Sequence, residues 1–357
     1  MVNLLAMRAL PKAELHVHLE GTAPPELVRR IAARNGVPLP ERVLGADGRF
    51  RYTGFLDFLR TYDLAASVIR TGADYRDITY EYLCRCARGG AIYVELTASP
   101  DHAALIGLSN EEHLEGIAQG IDAARRDTGI EARILISAVR NFGLEPALRV
   151  ARHAAERPHP YVVGFSMAGD EAGFPAGDFA QAFAIAAQAG LGCTIHAGEW
   201  AGPESVRAAL ELPITRIAHG VRAIEDPALV SDLAARGTVL ECCPTSNVVL
   251  GVYPSYEEHP LPALRDAGVK LTLGSDDPPY FGASVEGEYA VCQERMGFSE
   301  DDLRAITRTA IEAAFCDGEL KAALHRRLQT PRRVGEDSPL AGPKPILPRR
   351  SPPGAER

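Results

Sequence analysis

Eight short apolar segments, each rich in β-branched residues, recur along the chain and are separated by amphipathic stretches with helical spacing. Strands that alternate with helices form parallel βα units, because a parallel strand needs a crossover before the next one. The sequence therefore predicts an α/β fold with one large parallel sheet. The predicted strands span residues 13–18, 91–97, 132–138, 161–166, 191–196, 214–218, 238–243 and 269–274.

Polar residues that bind metals or carry protons lie near the ends of four of these segments. The chain has only ten histidines, and four of them lie at these positions. In a barrel of parallel strands, side chains at the C-terminal strand ends converge on one point. Imidazoles and a carboxylate converging there are the ligands that a hydrolytic zinc prefers. The four segments are His16-Val17-His18, His196-Ala197-Gly198-Glu199, Ala218-His219-Gly220 and Ser275-Asp276-Asp277-Pro278.

The predicted zinc ligands come from three strand ends. His16 and His18 lie on one face of the first strand, because strand side chains repeat every second residue. His196 adds a third nitrogen and Asp276 adds an oxygen. Each residue taken alone is better explained as an ordinary surface or core residue than as a metal ligand. Together they predict one Zn²⁺ per chain.

Three further residues have both a functional and a structural interpretation. Glu199 can carry protons beside a metal, or it can be a helix N-terminal carboxylate favoured by the helix dipole. His219 can orient an attacking hydroxide, or it can be a hydrogen-bonded core histidine. Asp277, which precedes Pro278, can face a substrate or simply form a turn.

Six motifs along the chain, in order from about residue 9 to about residue 325, resemble those of the adenosine/adenine deaminase family. The fourth strand has no lysine for the bridge of two-metal amidohydrolases, and the His-x-Glu with Pro-Cys-x-x-Cys signature of the other zinc deaminase fold is missing. The motifs are residues 16–22, 167–171, 196–199, 218–220, 243–247 and 275–278.

The resemblance implies a single-domain (β/α)8 TIM-type barrel with one zinc and a purine substrate. The implied zinc ligands are His16, His18, His196 and Asp276. The implied catalytic residues are Glu199 as proton shuttle facing purine N1, His219 positioning the hydroxide, and Asp276. The implied substrate-binding residues are His18, Glu20, the Gly169 backbone facing N3, and Asp277 facing N7.

The predicted reaction is deamination of adenosine to inosine and ammonia. Glu20 stands where family members that are well matched to ribose usually carry aspartate, and Tyr280-Phe281-Gly282 is similar to adenine deaminases. We expect Glu20 to share a strand face with His18 and to reach a ribose hydroxyl at the pocket mouth. The alternatives are adenine, another 6-aminopurine nucleoside such as aminodeoxyfutalosine, and a nucleoside-binding barrel without turnover.

Segment 53–62 predicts a helical lid inserted after the first strand, with an outer packing helix as the alternative. We expect the barrel to occupy residues 1–330 and a Pro/Arg-rich tail to occupy residues 331–357. A net charge of −9 argues against a nucleic-acid partner. No signal peptide or long apolar run is seen, so a cytoplasmic protein without a membrane partner is expected. The seven cysteines lack a Cys-x-x-Cys pair, which predicts free buried thiols.

Overall fold

The computed structural model describes residues 4–156 and 159–329, and in them eight parallel strands form one sheet in chain order. Helices surround the sheet, which confirms the (β/α)8 barrel. Seven strands lie within one or two residues of the predicted ranges. The strands are β1 (Lys12–Glu14), β2 (Ala91–Ala98), β3 (Glu131–Val139), β4 (Val162–Ala168), β5 (Gly192–Ala197), β6 (Arg216–His219), β7 (Val239–Cys242) and β8 (Lys270–Leu273).

The first strand is shorter than the predicted range 13–18, and this difference concerns the closure of the barrel. Beyond β1 the chain leaves the regular ladder and bonds to the segment that follows β8. The Asp276 N–H donates to the His16 carbonyl at 3.2 Å, and the His18 N–H donates to the Asp276 carbonyl at 3.0 Å. The barrel is therefore closed at this point by the two segments that carry predicted ligands.

The helices that connect the strands begin and end largely where the sequence signals lie. The helix Pro25–Asn35 is one case, because it ends at Gly36, which adopts the left-handed conformation (φ +62°) typical of a C-terminal cap. In the described residues the α-helices are α1 (Leu4–Ala9), α2 (Pro25–Asn35), α3 (Phe55–Ala66), α4 (Gly72–Arg88), α5 (Pro100–Leu105), α6 (Asn110–Thr128), α7 (Leu144–Glu156), α8 (Ala180–Gln188), α9 (Pro203–Ala209), α10 (Pro227–Arg236), α11 (Pro244–Val249), α12 (Leu261–Asp266), α13 (Pro278–Phe281), α14 (Val285–Arg295), α15 (Glu300–Ala313) and α16 (Gly318–Gln329).

Helix α3 is the predicted lid, and it lies against the cavity at the C-terminal end of the barrel. Phe55, Phe58, Leu59 and Tyr62 of this helix line that cavity. Phe58 also packs against Phe281 of α13, with ring centroids 5.1 Å apart. The lid therefore rests on the short helix that follows the eighth strand.

A buried ion pair crosses the interior of the barrel below the cavity. Arg216 of β6 lies 2.7 Å from a Glu95 oxygen of β2 and 2.6 Å from a Glu241 oxygen of β7. Because β2 and β6 are not neighbours in the sheet, these side chains meet only across the interior. All three are fully buried, so removal of one partner would leave an uncompensated charge.

The remaining sequence expectations have mixed outcomes. All seven cysteines are buried and unpaired, as predicted. None of the helices in the described residues is long and apolar enough to cross a membrane. The predicted tail at 331–357 lies outside the described residues.

Candidate active site

The structure brings the four predicted ligands together at the C-terminal end of the barrel. His18 Nε2 lies 3.2 Å from His196 Nε2. Asp276 Oδ1 lies 3.3 Å from both His16 Nε2 and His18 Nε2. One donor atom from each of the four residues lies within 4.8 Å of all the others. This cluster could hold a metal ion.

The outer atoms of these ligands are held by protein groups. His16 Nδ1 lies 3.2 Å from Glu241 Oε2, and His196 Nδ1 lies 3.0 Å from the Met167 carbonyl. Ser246 donates its hydroxyl to Asp276 Oδ2 at 2.7 Å. Such partners fix the orientation of a metal ligand and the nitrogen that stays free. The rings of His16 and His196 are therefore held with Nε2 towards the cluster.

The backbone at two of the site residues is strained. Among the residues that the structure describes, only His219 (φ 60°) and Asp276 (φ 62°) combine a positive φ with a side chain other than glycine. This conformation costs free energy and persists where the surroundings hold it. Ser275, next to Asp276, donates its N–H and its hydroxyl to Glu14 Oε1 at 2.8 and 2.6 Å. Glu14 therefore anchors the turn that presents Asp276.

Glu199 lies beside the cluster on a loop that Glu171 fixes. The Glu171 carboxylate accepts the backbone N–H groups of Gly198 at 2.8 Å and of Ala201 at 2.6 Å, and also that of Trp200. Glu199 itself is buried. Burial, together with the negative charges of nearby carboxylates, raises the pKa of Glu199 well above its ordinary value. A protonated Glu199 can donate to a basic ring nitrogen.

Asp277 and Gly169 also line the cavity. Burial and the adjacent Asp276 carboxylate raise the pKa of Asp277 well above its ordinary value, so its carboxyl can act as a donor. Gly169 has φ +105°, and a Cβ there would lie 2.2 Å from Asn141 Oδ1. Glycine is therefore required at this point of the cavity wall.

His219 lies on the other side of the cluster, with Nε2 3.6 Å from Glu199 Oε2. Burial lowers the pKa of His219 to about 3, so the ring is neutral. Its Nδ1 lies 3.3 Å from Asn247 Nδ2. Asn247 and Ser246 belong to the fifth of the six motifs, and the sequence assigns neither of them a role. Nothing local marks their function, because their partners lie on other strand ends.

Glu20 lines the cavity together with His18, but not from the strand face that the sequence predicted. It belongs to a 3₁₀ turn (Glu20–Thr22) and not to a strand, and its side chain is only 1% exposed. The Ser99 N–H donates to its Oε1 at 3.1 Å, while the hydroxyls of Tyr75 and Tyr62 approach its two oxygens at 3.4 Å each. The expected shared strand face with His18 is wrong, because the first strand ends at Glu14, and Glu20 is buried more deeply than a contact at the pocket mouth requires.

A family model described as adenosine deaminase matches residues 11–331 of the chain. The chain belongs to the adenosine deaminase family. It is a hydrolase of the kind that acts on the C–N bond of a cyclic amidine. An adenine deaminase from Chelativorans sp. (strain BNC1) is 51% identical to this deaminase over 322 residues, which cover 90% of this chain and 98% of that protein.

Solved structures share the same barrel. The adenine deaminase from Arthrobacter aurescens superimposes with a TM-score of 0.84 at 31% identity, over 90% of this chain and 98% of that one. The N6-methyl-AMP deaminase from Arabidopsis thaliana does so with a TM-score of 0.80 at 27% identity, over 92% of this chain and 98% of that one. Deaminases in this family therefore differ in what their substrates carry on the purine.

Proposed function

We propose that this deaminase converts adenine and water to hypoxanthine and ammonia, with one zinc ion per chain. This differs from the substrate first expected from the sequence, adenosine, and agrees with the alternative. The observation that carries the choice is the burial of Glu20, whose carboxylate is already bonded within the protein. The similar proteins named adenine deaminase support the same choice.

A ribose would need to donate a hydrogen bond to Glu20, and the oxygens of this carboxylate already accept hydrogen bonds from the protein. Burial opposes its ionisation, but the nearby His113 and His102 rings hold the pKa of Glu20 below its ordinary value. An ionised Glu20 is therefore an acceptor whose donors are the tyrosines and a backbone N–H. A ribose hydroxyl would have to displace Tyr62, a half-buried lid residue, from Glu20. The loss of this hydrogen bond would cost at most about 1–3 kcal/mol.

Zinc fits the donor set and its spacing. Three imidazole nitrogens and one carboxylate oxygen are typical zinc ligands. With zinc–nitrogen bonds of about 2.0–2.1 Å, donors at neighbouring corners of a tetrahedron lie about 3.3 Å apart. Three of the six distances between the donor atoms are 3.2 or 3.3 Å, and all six are within 4.8 Å. His16 Nε2 is also buried without a hydrogen-bond partner among the described residues.

The proposed roles follow from charge and position. Bound zinc would lower the pKa of a water molecule so that it attacks near neutral pH. Glu199, neutral in this site, donates a proton to purine N1 while oxygen adds at C6. Asp277 donates to N7, the Gly169 backbone faces N3, and His219 holds the attacking oxygen. Of the two protons that the attacking water gives up, one passes through the carboxylates to the amino group and the other returns to Glu199, so ammonia leaves C6 and the 6-oxopurine remains.

The test is kcat/KM for adenine and adenosine, in the parent and in Glu20→Asp. We expect the parent to prefer adenine by at least about 10²-fold, because a site without room or partners for the sugar rejects it. The shorter Asp withdraws the carboxylate from Tyr62, so the ratio of kcat/KM for adenine to kcat/KM for adenosine should decrease. A parent that prefers adenosine contradicts the proposal, and so does one that deaminates neither substrate.

A further inference from the structure

A chain of buried hydrogen bonds runs from the active site into the loop between α11 and α12. His219 Nδ1 lies 3.3 Å from Asn247 Nδ2. Asn247 Oδ1 lies 3.1 Å from His259 Nε2. The Leu261 backbone N–H donates to His259 Nδ1 at 3.2 Å. Both histidines and the asparagine are buried, so water does not compete for these bonds.

The backbone N–H at the far end fixes the direction of every bond in this chain. An amide N–H can only donate, so His259 Nδ1 must be the acceptor nitrogen. A neutral imidazole has one nitrogen of each kind, and His259 Nε2 therefore carries the hydrogen and donates to Asn247 Oδ1. The amide NH₂ of Asn247 is then turned towards His219. His219 Nδ1 accepts from it, so the hydrogen of His219 must be on Nε2.

The surroundings of His259 agree with a neutral ring. Burial lowers the pKa of His259 to about 3. Among the described residues, the side chains in hydrogen-bond or ring contact with it are Asn247, which accepts its one N–H, and Tyr253, whose ring lies edge-on with centroids 5.1 Å apart. Neither neighbour supplies the negative charge that an imidazolium would need.

We propose that Asn247 and His259 are positioning residues that hold His219 in the tautomer with its N–H on Nε2, facing the cavity. His219 Nε2 is buried without a hydrogen-bond partner among the described residues. It lies 3.6 Å from Glu199 Oε2 and 3.9 Å from Asp276 Oδ2. The N–H is therefore free to donate to an oxygen atom bound between these groups.

This assignment defines what His219 does in the reaction. In this tautomer Nε2 donates a hydrogen bond to the attacking oxygen and cannot accept its proton. Orientation of the oxygen and proton transfer are then divided between His219 and the carboxylates. This role rests on the proposed function, whereas the tautomer itself follows from the hydrogen bonds alone.

Asn247→Asp is the sharpest test because it changes no volume. A carboxylate only accepts, so it receives hydrogen bonds from His259 Nε2 and also from His219 Nδ1. The hydrogen of His219 must then move to Nδ1, and Nε2 presents a lone pair to the cavity. Two variants of His259, the next residue along the hydrogen-bond chain, separate the effect of its hydrogen bond from the effect of its packing. His259→Gln keeps a donor towards Asn247, whereas His259→Leu removes it and frees the amide to rotate.

The tautomer is read directly from two-bond ¹H–¹⁵N correlation spectra of protein labelled with ¹⁵N-histidine. The His219 signal is identified by its loss in His219→Asn, and spectra are recorded with and without zinc. We expect hydrogen on Nε2 in the parent and in His259→Gln, and on Nδ1 in Asn247→Asp. In steady-state assays with adenine, Asn247→Asp should lose about 10²-fold in kcat, as expected for one lost transition-state donor, with KM within a few-fold.

Two spectral results would overturn the proposal: hydrogen on Nδ1 of His219 in the parent, or on Nε2 in Asn247→Asp at a pH where the introduced carboxyl is ionised. A His259→Leu variant as active as His259→Gln, with the parent spectrum, would also overturn it. If Asn247→Asp does not fold, the parent spectrum and the two His259 variants still decide. If the parent does not deaminate adenine but its spectrum is as expected, the proposed function fails and the tautomer stands.

Discussion

Gly21 is the position where one added methyl group should disturb the substrate site most directly. A Cβ at Gly21 would lie 1.7 Å from Asp277 Oδ1, whereas real Cβ contacts are essentially never under 3.0 Å. In Gly21→Ala the buried carboxyl must therefore retreat by about 1.3 Å, because the Tyr62 ring, 3.0 Å away, closes the other side. A misplacement of about 1 Å can cost up to 10²-fold in rate.

The loss should be specific to the N7 contact that we propose for Asp277. A buried acceptor left without its donor costs about 1–3 kcal/mol, or roughly 5- to 150-fold in kcat/KM. We therefore expect Gly21→Ala to lower kcat/KM for adenine by about 10- to 100-fold. 7-Deazaadenine has no N7 acceptor, so kcat/KM for this substrate should decrease much less in Gly21→Ala. The preference of the parent for adenine over 7-deazaadenine should thus shrink in the variant.

Gly177→Ala is the control, since a Cβ there meets nothing within 4 Å. It should leave kcat/KM for both substrates unchanged. Thermal unfolding of both variants shows whether the buried methyl group also destabilises the fold, as overpacking commonly does by about 1–3 kcal/mol. The reasoning is refuted if Gly21→Ala deaminates adenine at the parent rate. It is equally refuted if the variant loses the same factor with both substrates while remaining folded.

Three further results are expected. Glu199→Gln should keep its zinc and its melting temperature but lose at least about 10²-fold in kcat; turnover within a few-fold of the parent would exclude Glu199 as the proton shuttle. Elemental analysis should give one zinc per chain, and His196→Ala should lose it, whereas two metals per chain, or full activity with none, would contradict the site. Burial lowers the pKa of His259 to about 3. Between pH 6.5 and 3 the unfolded chain therefore binds a proton that the native protein does not, so the free energy of unfolding decreases as the pH is lowered through that window. His259→Gln should show a shallower acid loss in chemical denaturation, and an identical pH profile would contradict a neutral native His259.

The strands and the metal cluster were accessible from the sequence because both depend on local periodicity. A short apolar segment predicts a buried strand wherever it lies, and alternation with helices fixes parallel order. The convergence of His16, His196 and Asp276 then follows from the geometry of a barrel, in which C-terminal strand ends meet. No knowledge of side-chain contacts was needed for either inference.

The conformation after β1 was not accessible in the same way. The spacing of two residues between His18 and Glu20 suggested a shared strand face. In the structure the strand ends at Glu14, and Glu20 turns towards Tyr75 of α4 and Ser99 beyond β2. Residues far apart in the chain decide this burial, and they bear on whether the substrate carries a sugar.

The partners of His219 show most clearly the difference between what the sequence predicts and what only the packing of separate elements decides. The sequence by itself determined the barrel, the order of its strands and the residue types gathered at their C-terminal ends. Only the tertiary structure decided that Asn247 and His259 lie behind His219, that Ser246 holds Asp276, and that Gly21 leaves room for Asp277. Periodicity records which face of an element is buried, whereas a hydrogen bond between side chains depends on where separate elements pack in space.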